Sequence, residues 1–262
     1  MNPIGFLLFD IDGVIRDVSK SYRLAIQETV IHFCNWKPSI NDIDNLKAEG
    51  KWNNDWHASL ELINRHNKKQ RKFLEIPSIK SLIKVFNTYY FGNNPNSNPE
   101  QWDGFIQNEQ LLVNKEFFDT LTKLNLSWGF VSGAESISAK YVLETRLKIK
   151  QPYLIAMEDA PDKPDPTGLI KIAQELAGTE LGDGVPPVIY LGDTVADVLT
   201  IKNAQLKVPS QKFISFAISP PHLHKKGTIK ERSIYEENLK KAGADKVILN
   251  ISEIITEAKE WL

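Results

Sequence analysis

The chain has 262 residues, 42% hydrophobic and 25% charged, enough for one large globular domain or two modest ones. Its 32 Lys and Arg against 33 Asp and Glu leave a formal charge of −1, which excludes the broadly basic surface that nucleic acid or anionic lipid selects and points to a small-molecule partner. The single cysteine, Cys34, excludes an internal disulfide; it lies in an apolar run and reads as packing in a reducing compartment. The opening apolar run at 4–9 is too short for an export signal and has no basic flank, and no stretch approaches the roughly 18 apolar residues that span a bilayer. The expectation is a cytoplasmic protein with no membrane and no nucleic-acid partner.

In chain order, a β-prone run ends at FLLFDIDG (6–13), and Tyr22, Ile26, Val30 and Phe33 then recur at the spacing of an amphipathic helix over 19–35. Apolar residues three and four apart predict further helices over 40–48, 55–66, 78–91 and 115–124, punctuated by Pro38, Pro77 and NNPNSNP at 93–99. No strand pattern interrupts this block, which is too long for a simple crossover and predicts a helical insertion in an α/β core. From Leu126 onward short apolar strands (126–131, 153–157, 188–191, 213–218, 246–249) alternate with helices (136–147, 166–177, 195–204, 229–242). Right-handed crossovers make that alternation a parallel sheet, which the first strand joins across the insertion. The expected fold is α/β, a Rossmann-like doubly wound parallel sheet built from 1–16 and 115–262, with 17–114 as the inserted α-helical domain.

Four segments carry polar groups suited to chemistry: Asp10 and Asp12 in FLLFDIDG, Ser132 and Gly133 in LSWGFVSG (126–133), Lys163 in KPDP (163–166), and Asp193 and Asp197 in VIYLGDTVAD (188–197). Three of them follow an apolar strand, which is how an open α/β sheet presents side chains at the carboxyl ends of its strands. Asp10 and Asp12 can reach one pocket while Ile11 packs away, and Gly13 permits a tight exit turn. Taken singly, Asp-x-Asp-Gly also occurs in surface turns and calcium loops, Ser-Gly reads as a turn, Lys-Pro as a solvated loop and Gly-Asp as a strand exit. Their joint order describes a magnesium-dependent phosphoryl-transfer site.

With these motifs in this order the chain resembles the haloacid dehalogenase superfamily, the aspartate-nucleophile phosphatases and phosphomutases, over essentially its whole length. Within it the phosphoglycolate phosphatase and β-phosphoglucomutase branch is nearest, since its opening hhhDhDGVhhD is matched by FLLFDIDGVIRD (6–17). The resemblance implies a small α-helical cap in the place of the insertion, Mg²⁺ as cofactor and a small phosphorylated metabolite as substrate. It implies Asp10 as the nucleophile that becomes an aspartyl phosphate, and Asp12 as the group that protonates the leaving alkoxide and then activates water. The metal would be held by Asp10, Asp193, Asp197 and the main-chain carbonyl of Asp12, and phosphate by Ser132, Gly133 with the Ala134 amide beside it, and Lys163. Because the family's dehalogenases and phosphonate hydrolases lack the second aspartate, Asp12 favours phosphate esters. The implied activity is hydrolysis of a sugar phosphate or phosphorylated small acid, with a phosphomutase or a non-catalytic ligand-binding protein as alternatives.

Substrate contacts in the family come from the cap, where KAEGKWNNDW (47–56) places Lys51, Trp52, Asn53 and Asn54 around Gly50. Ammonium, amide and indole groups suit a hydroxylated or anionic leaving group; the competing reading is a helix-connecting loop in which Asn54 or Asp55 caps the next helix. Arg16 stands where the branch has a smaller residue and reads as a surface partner of Asp17 or Glu28, or as a group reaching toward an anionic substrate. PPHLHKK (220–226) reads as an exposed loop rather than a metal site. Oligomeric state is not legible.

Overall fold

The structure is a computed structural model and describes residues 3–49, 51–52, 54–70 and 75–262. Its strands are β1 (Gly5–Phe9), β2 (Arg16–Asp17), β3 (Gln110–Leu111), β4 (Leu126–Val131), β5 (Leu154–Ile155), β6 (Val188–Gly192), β7 (Phe213–Ile218) and β8 (Lys246–Ile248). Its α-helices are α1 (Tyr22–Cys34), α2 (Ile40–Ala48), α3 (Asp55–Gln70), α4 (Ile79–Phe91), α5 (Lys115–Lys123), α6 (Ser136–Lys140), α7 (Thr167–Ala177), α8 (Val195–Lys207), α9 (Ile229–Ala242) and α10 (Ile254–Trp261). Two compact units divide the chain: Met1–Asp17 with Leu111–Leu262, and Val18–Gln110.

The first unit is built on a six-stranded sheet of order β5-β4-β1-β6-β7-β8, every neighbouring pair parallel. A strand covered on both faces must be apolar throughout, and β1 (GFLLF), β6 (VIYLG) and β7 (FISFAI) are buried at every residue. Alternate side chains serve opposite layers. Phe6 and Leu8 join a core with Leu169, Ile172 and Ala173 of α7 and Ile201 and Ala204 of α8. Phe9 meets Phe117 and Phe118 of α5 edge to face, with ring centroids 5.9 and 6.0 Å away. Helices therefore lie on both faces, and the sheet is doubly wound. Register fixes the functional edge: Phe9 is level with Phe130 of β4 and with Leu191 of β6, so the chain leaves three adjacent strands at Asp10, Ser132 and Asp193.

The second unit is helical, with α1 packed on α3 and α4. Its core is aromatic: Tyr22 stacks on Tyr90 at 4.5 Å, Phe91 lies 4.5 Å from the buried Trp102, and the Tyr90 hydroxyl donates to buried Glu109 at 3.0 Å. Ser39 opens α2 with a capping box to Asp42, and Ser78 caps α4. Asn35 closes α1 in the left-handed region at φ 54°.

Several elements differ in extent from the sequence expectation. The helix expected over 55–66 runs to Gln70, and the strand expected over 153–157 is the two-residue β5, an edge strand. The helix expected over 136–147 is α-helical only to Lys140; Tyr141–Arg146 is π-wound, so Leu147 N–H reaches back five residues to Val142 C=O and Tyr141, Val142 and Leu143 are all buried. The short ladder of β2 with β3 carries no periodic signal and was not expected.

Candidate active site

The site begins where β1 ends. Asp10 is 5% exposed, and its N–H still belongs to the sheet, donating to Leu191 C=O at 2.9 Å. Gly13 follows at φ +81°, where a Cβ would be strained and would also overlap the Asp193 carboxylate. Gly192 has the same duty toward Asp197, whose side chain occupies the space a Cβ would need. The glycines thus admit both carboxylates to the end of β1.

Asp10, Asp193 and Asp197 present carboxylate oxygens within 4.8 Å of one another, all three residues buried. Among the described residues one ammonium faces them: Lys163 Nζ donates to Asp10 Oδ1 at 2.9 Å and to Asp197 Oδ1 at 2.5 Å. Burial alone would lower the Lys163 pKa, but Asp10 and Asp197 raise it well above the ordinary lysine value, so the side chain stays charged. Burial pushes Asp10 up to about 7; Lys163 pulls the other way, and Asp197 and Asp12 push further up. Asp193 is raised well above its usual range by burial and then by Asp10 and Asp197. Asp197 is held low, because Lys163 and Thr194 outweigh its burial.

Asp197 owes that stability to saturation. Oδ2 accepts from Thr194 N at 2.9 Å and Thr194 Oγ1 at 2.6 Å, completing the capping box that starts α8. Oδ1 lies 2.5 Å from Lys163 Nζ and 3.0 Å from the Tyr190 hydroxyl. Thr194 and Lys163 thus engage both oxygens, and the one proton of the Tyr190 hydroxyl serves either Asp197 or Val131 C=O. Among the described residues no hydrogen-bond donor reaches the Asp193 carboxylate, and only Lys163 reaches that of Asp10. Only with all three ionised do the carboxylates outnumber the Lys163 ammonium, a state that a bound cation favours, and an all-oxygen donor set suits a hard divalent cation. The residues present therefore fit Mg²⁺.

Ser132 ends β4, 5% exposed, with its N–H on Ile155 C=O. Its Oγ accepts from Ala134 N at 3.2 Å, so that amide, expected to face phosphate, turns inward on the loop. Gly133 has open space at its Cβ position. Ser132, Gly133, Asp162 and Lys163 line one recess of the first unit.

Tyr190 was not anticipated. Its hydroxyl lies 2.9 Å from Val131 C=O, 3.0 Å from Asp197 Oδ1 and 3.1 Å from Lys163 Nζ, and burial keeps it protonated. The available signal was a tyrosine inside an otherwise apolar strand, since a buried phenol needs a partner.

Arg16 is a correction. It is not on the surface: it is 0% exposed, and its Nε donates to Asp12 Oδ1 at 2.6 Å, while Glu28 pairs with Lys37 at 3.6 Å. In the second unit Asn54 caps α3, its Oδ1 accepting from Trp56 N at 3.0 Å and His57 N at 3.1 Å, which occupies the amide oxygen offered to substrate. Trp52 donates its indole N–H to Glu49 at 3.1 Å, and Glu49 also takes Arg65. Lys51 is exposed; Asn53 and Gly50 lie outside the described residues. In the 220–226 segment His224 Nε2 is 2.9 Å from both the hydroxyl and the carbonyl of Ser219, so it fastens the turn after β7.

The doubly wound sheet thus gathers paired aspartates after β1, a lysine across from them and the Gly192-Asp193 pair at the end of β6. The chain matches the family model of haloacid dehalogenase-like hydrolases over residues 5–205 and belongs to that family. It is 29% identical over 205 residues to an imidazoleglycerol-phosphate dehydratase of Phytophthora nicotianae, an alignment covering 78% of this chain and 42% of that protein. The chain thus spans about two-fifths of that relative's length. Among solved structures, phosphatase Tt82 of Thermococcus thioreducens superposes with a TM-score of 0.60 at 22% identity, over 90% of this chain and 99% of the other. A phosphonoacetaldehyde hydrolase-like protein of Oleispira antarctica does so with a TM-score of 0.66 at 15% identity, over 99% and 94%. At these identities the two structures show the shared fold. No described helix is long and apolar enough to cross a membrane.

Proposed function

We propose that the chain is a magnesium-dependent phosphatase that hydrolyses a small phosphate monoester through an aspartyl phosphate on Asp10. The observation that carries this reading is the pairing of a buried Asp10, 2.9 Å from Lys163 Nζ, with a second carboxylate two residues on. Mg²⁺, held by the carboxylates of Asp10 and Asp193 with the Asp12 main-chain carbonyl, would neutralise the repulsion between carboxylate and phosphate dianion. Asp197 belongs to this acidic group through Lys163, which it anchors, and its own oxygens are engaged by Lys163, Tyr190 and Thr194.

In the first half-reaction an Asp10 oxygen bonds to phosphorus, the ester P–O bond breaks, and Asp12 gives its proton to the leaving oxygen. In the second, Asp12 takes a proton from water as its oxygen bonds to phosphorus and Asp10 departs. Ser132 Oγ, the Gly133 N–H and Lys163 would hold the phosphoryl oxygens, and charge contacts of this kind supply most of the catalysis of phosphoryl transfer. The helical unit, as a cap, would supply contacts to the leaving group, with exposed Lys51 and half-buried Trp52 the residues offered to it.

The test is release of inorganic phosphate from a panel of sugar phosphates, phosphorylated small acids and imidazoleglycerol phosphate, the last because of the Phytophthora relative. Mg²⁺-dependent release, abolished in Asp10→Asn, is expected. Isomerisation of a sugar phosphate without release would replace this reading with a phosphomutase, and no turnover with no phosphorylation of Asp10 would replace it with a ligand-binding protein.

A further inference from the structure

We propose that Arg16 is a positioning residue for proton transfer: it grips Oδ1 of Asp12 and leaves Oδ2 as the oxygen that exchanges the proton. The proposal rests on the phosphatase reading above. Its basis is a juxtaposition that composition does not require. A guanidinium is among the groups least often wholly buried, and one with no solvent exposure needs an anionic partner. Arg16 has 0% exposure, and the carboxylate it meets at 2.6 Å is Asp12, whose own side chain is 25% exposed. The arginine end of the pair is sealed from solvent, and the carboxylate end is not.

The backbone makes the arrangement rigid. Ile11 C=O accepts from Ile15 N at 2.8 Å and from Arg16 N at 3.1 Å, and Gly13 N donates to Arg16 C=O at 2.8 Å. Ile11, Val14 and Ile15 have no exposed surface, so the loop that returns Arg16 to Asp12 is locked by packing as well as hydrogen bonds. A free aspartate samples several χ1 and χ2 states; one clamped through a single oxygen presents the other in a fixed direction. Lysine could supply charge here but not the planar, directional Nε–H.

The roles separate by leaving group. p-Nitrophenolate departs without a proton, so forming the aspartyl phosphate from p-nitrophenyl phosphate needs little from Asp12, whereas its hydrolysis needs Asp12 to take a proton from water. Loss of positioning should therefore slow the second half-reaction selectively. Arg16→Met, Arg16→Lys, Asp12→Asn and the Arg16→Met/Asp12→Asn double variant would be followed by rapid quench with p-nitrophenyl phosphate and Mg²⁺, measuring nitrophenolate and acid-stable phosphoenzyme.

The expected result for Arg16→Met is a burst approaching one nitrophenolate per site, a rise in the fraction of phosphorylated enzyme, and steady turnover down about 10²-fold, inside the range of general-base effects. Arg16→Lys should recover part of the loss, and the double variant should be no slower than Asp12→Asn alone. Unfolding would lower the phosphorylated fraction, opposite in sign. Turnover equal to wild type, or turnover and phosphoenzyme falling together, would overturn the proposal. Should Arg16→Met fail to fold, Arg16→Lys carries the same two criteria. Wild type that neither turns over nor becomes phosphorylated would instead overturn the phosphatase reading, and the positioning role with it.

Discussion

Replacing Asp10 by asparagine should stabilise the metal-free protein at high pH while abolishing its chemistry. Burial and the neighbouring carboxylates push Asp10 from 3.8 to about 7. At about 1.4 kcal/mol per pH unit, keeping it ionised in the folded state costs about 4 kcal/mol. The sign follows from proton counting. Between the unfolded value near 3.8 and the folded value near 7 the native state holds the proton and the unfolded state does not, so stability falls as pH rises through that window. Above about 7 the whole penalty is present. Asparagine keeps an oxygen for Lys163 and removes the charge, so the melting-temperature gap between variant and wild type in EDTA should be small at pH 5. It should widen to a plateau of at most about 10 °C by pH 8. Calorimetry across that range measures it directly. Adding Mg²⁺ at pH 8 should raise wild type toward the variant and leave the variant nearly unmoved. A variant that melts at or below wild type at pH 8, or a gap that does not change with pH, would refute the charge accounting.

Asp193→Asn should raise the Mg²⁺ concentration needed for half-maximal activity about tenfold or more, because it removes a carboxylate that no donor among the described residues satisfies; titration of activity against Mg²⁺ reads this. Tyr190→Phe should cost about 1–2 kcal/mol of stability, since the one buried donor shared by Val131 C=O and Asp197 is lost, and it should weaken competitive inhibition by inorganic phosphate as Lys163 loosens. Lys51→Ala should raise KM for some esters of the panel and not for p-nitrophenyl phosphate; a uniform change would assign the side chain to packing.

The parallel sheet was legible because its strands are fully apolar runs bounded by turns, and because both walls of a buried strand demand the same chemistry. The polar residues at strand ends were legible for a related reason: a charge directly after five buried residues, as at Asp10, has only the sheet edge to occupy. What escaped were contacts made sideways. Tyr190 reads as one more large residue of a buried strand, and only the register that sets β6 beside β1 reveals what its hydroxyl meets. Arg16 was misread because arginines are mostly exposed, whereas a tight turn of four residues folds this one back under Asp12. Asn54 had two plausible duties, and local geometry decided for the helix cap. The π-wound segment after α6 has no periodic signature that separates it from an α-helix.

The strand order has a consequence for how the molecule comes into being. β1 is synthesised first yet lies between β4 and β6, with Gly5 level with Leu126 and Phe6 level with Val188. A nascent chain must therefore carry GFLLF with no strand beside it until residues 126–131 emerge and with one edge open until 188–192 emerge, and such long-range pairing is slow and exposes apolar surface meanwhile. The intervening Val18–Gln110 is contiguous and compact, and can form during that interval. On either side of it Leu112 N donates to Ile15 C=O at 2.8 Å, which sets the outgoing and returning segments side by side. Folding of the helical unit thus shortens the loop that β1 and β4 must close, and the insertion that separates the two strands in sequence becomes the means of reuniting them.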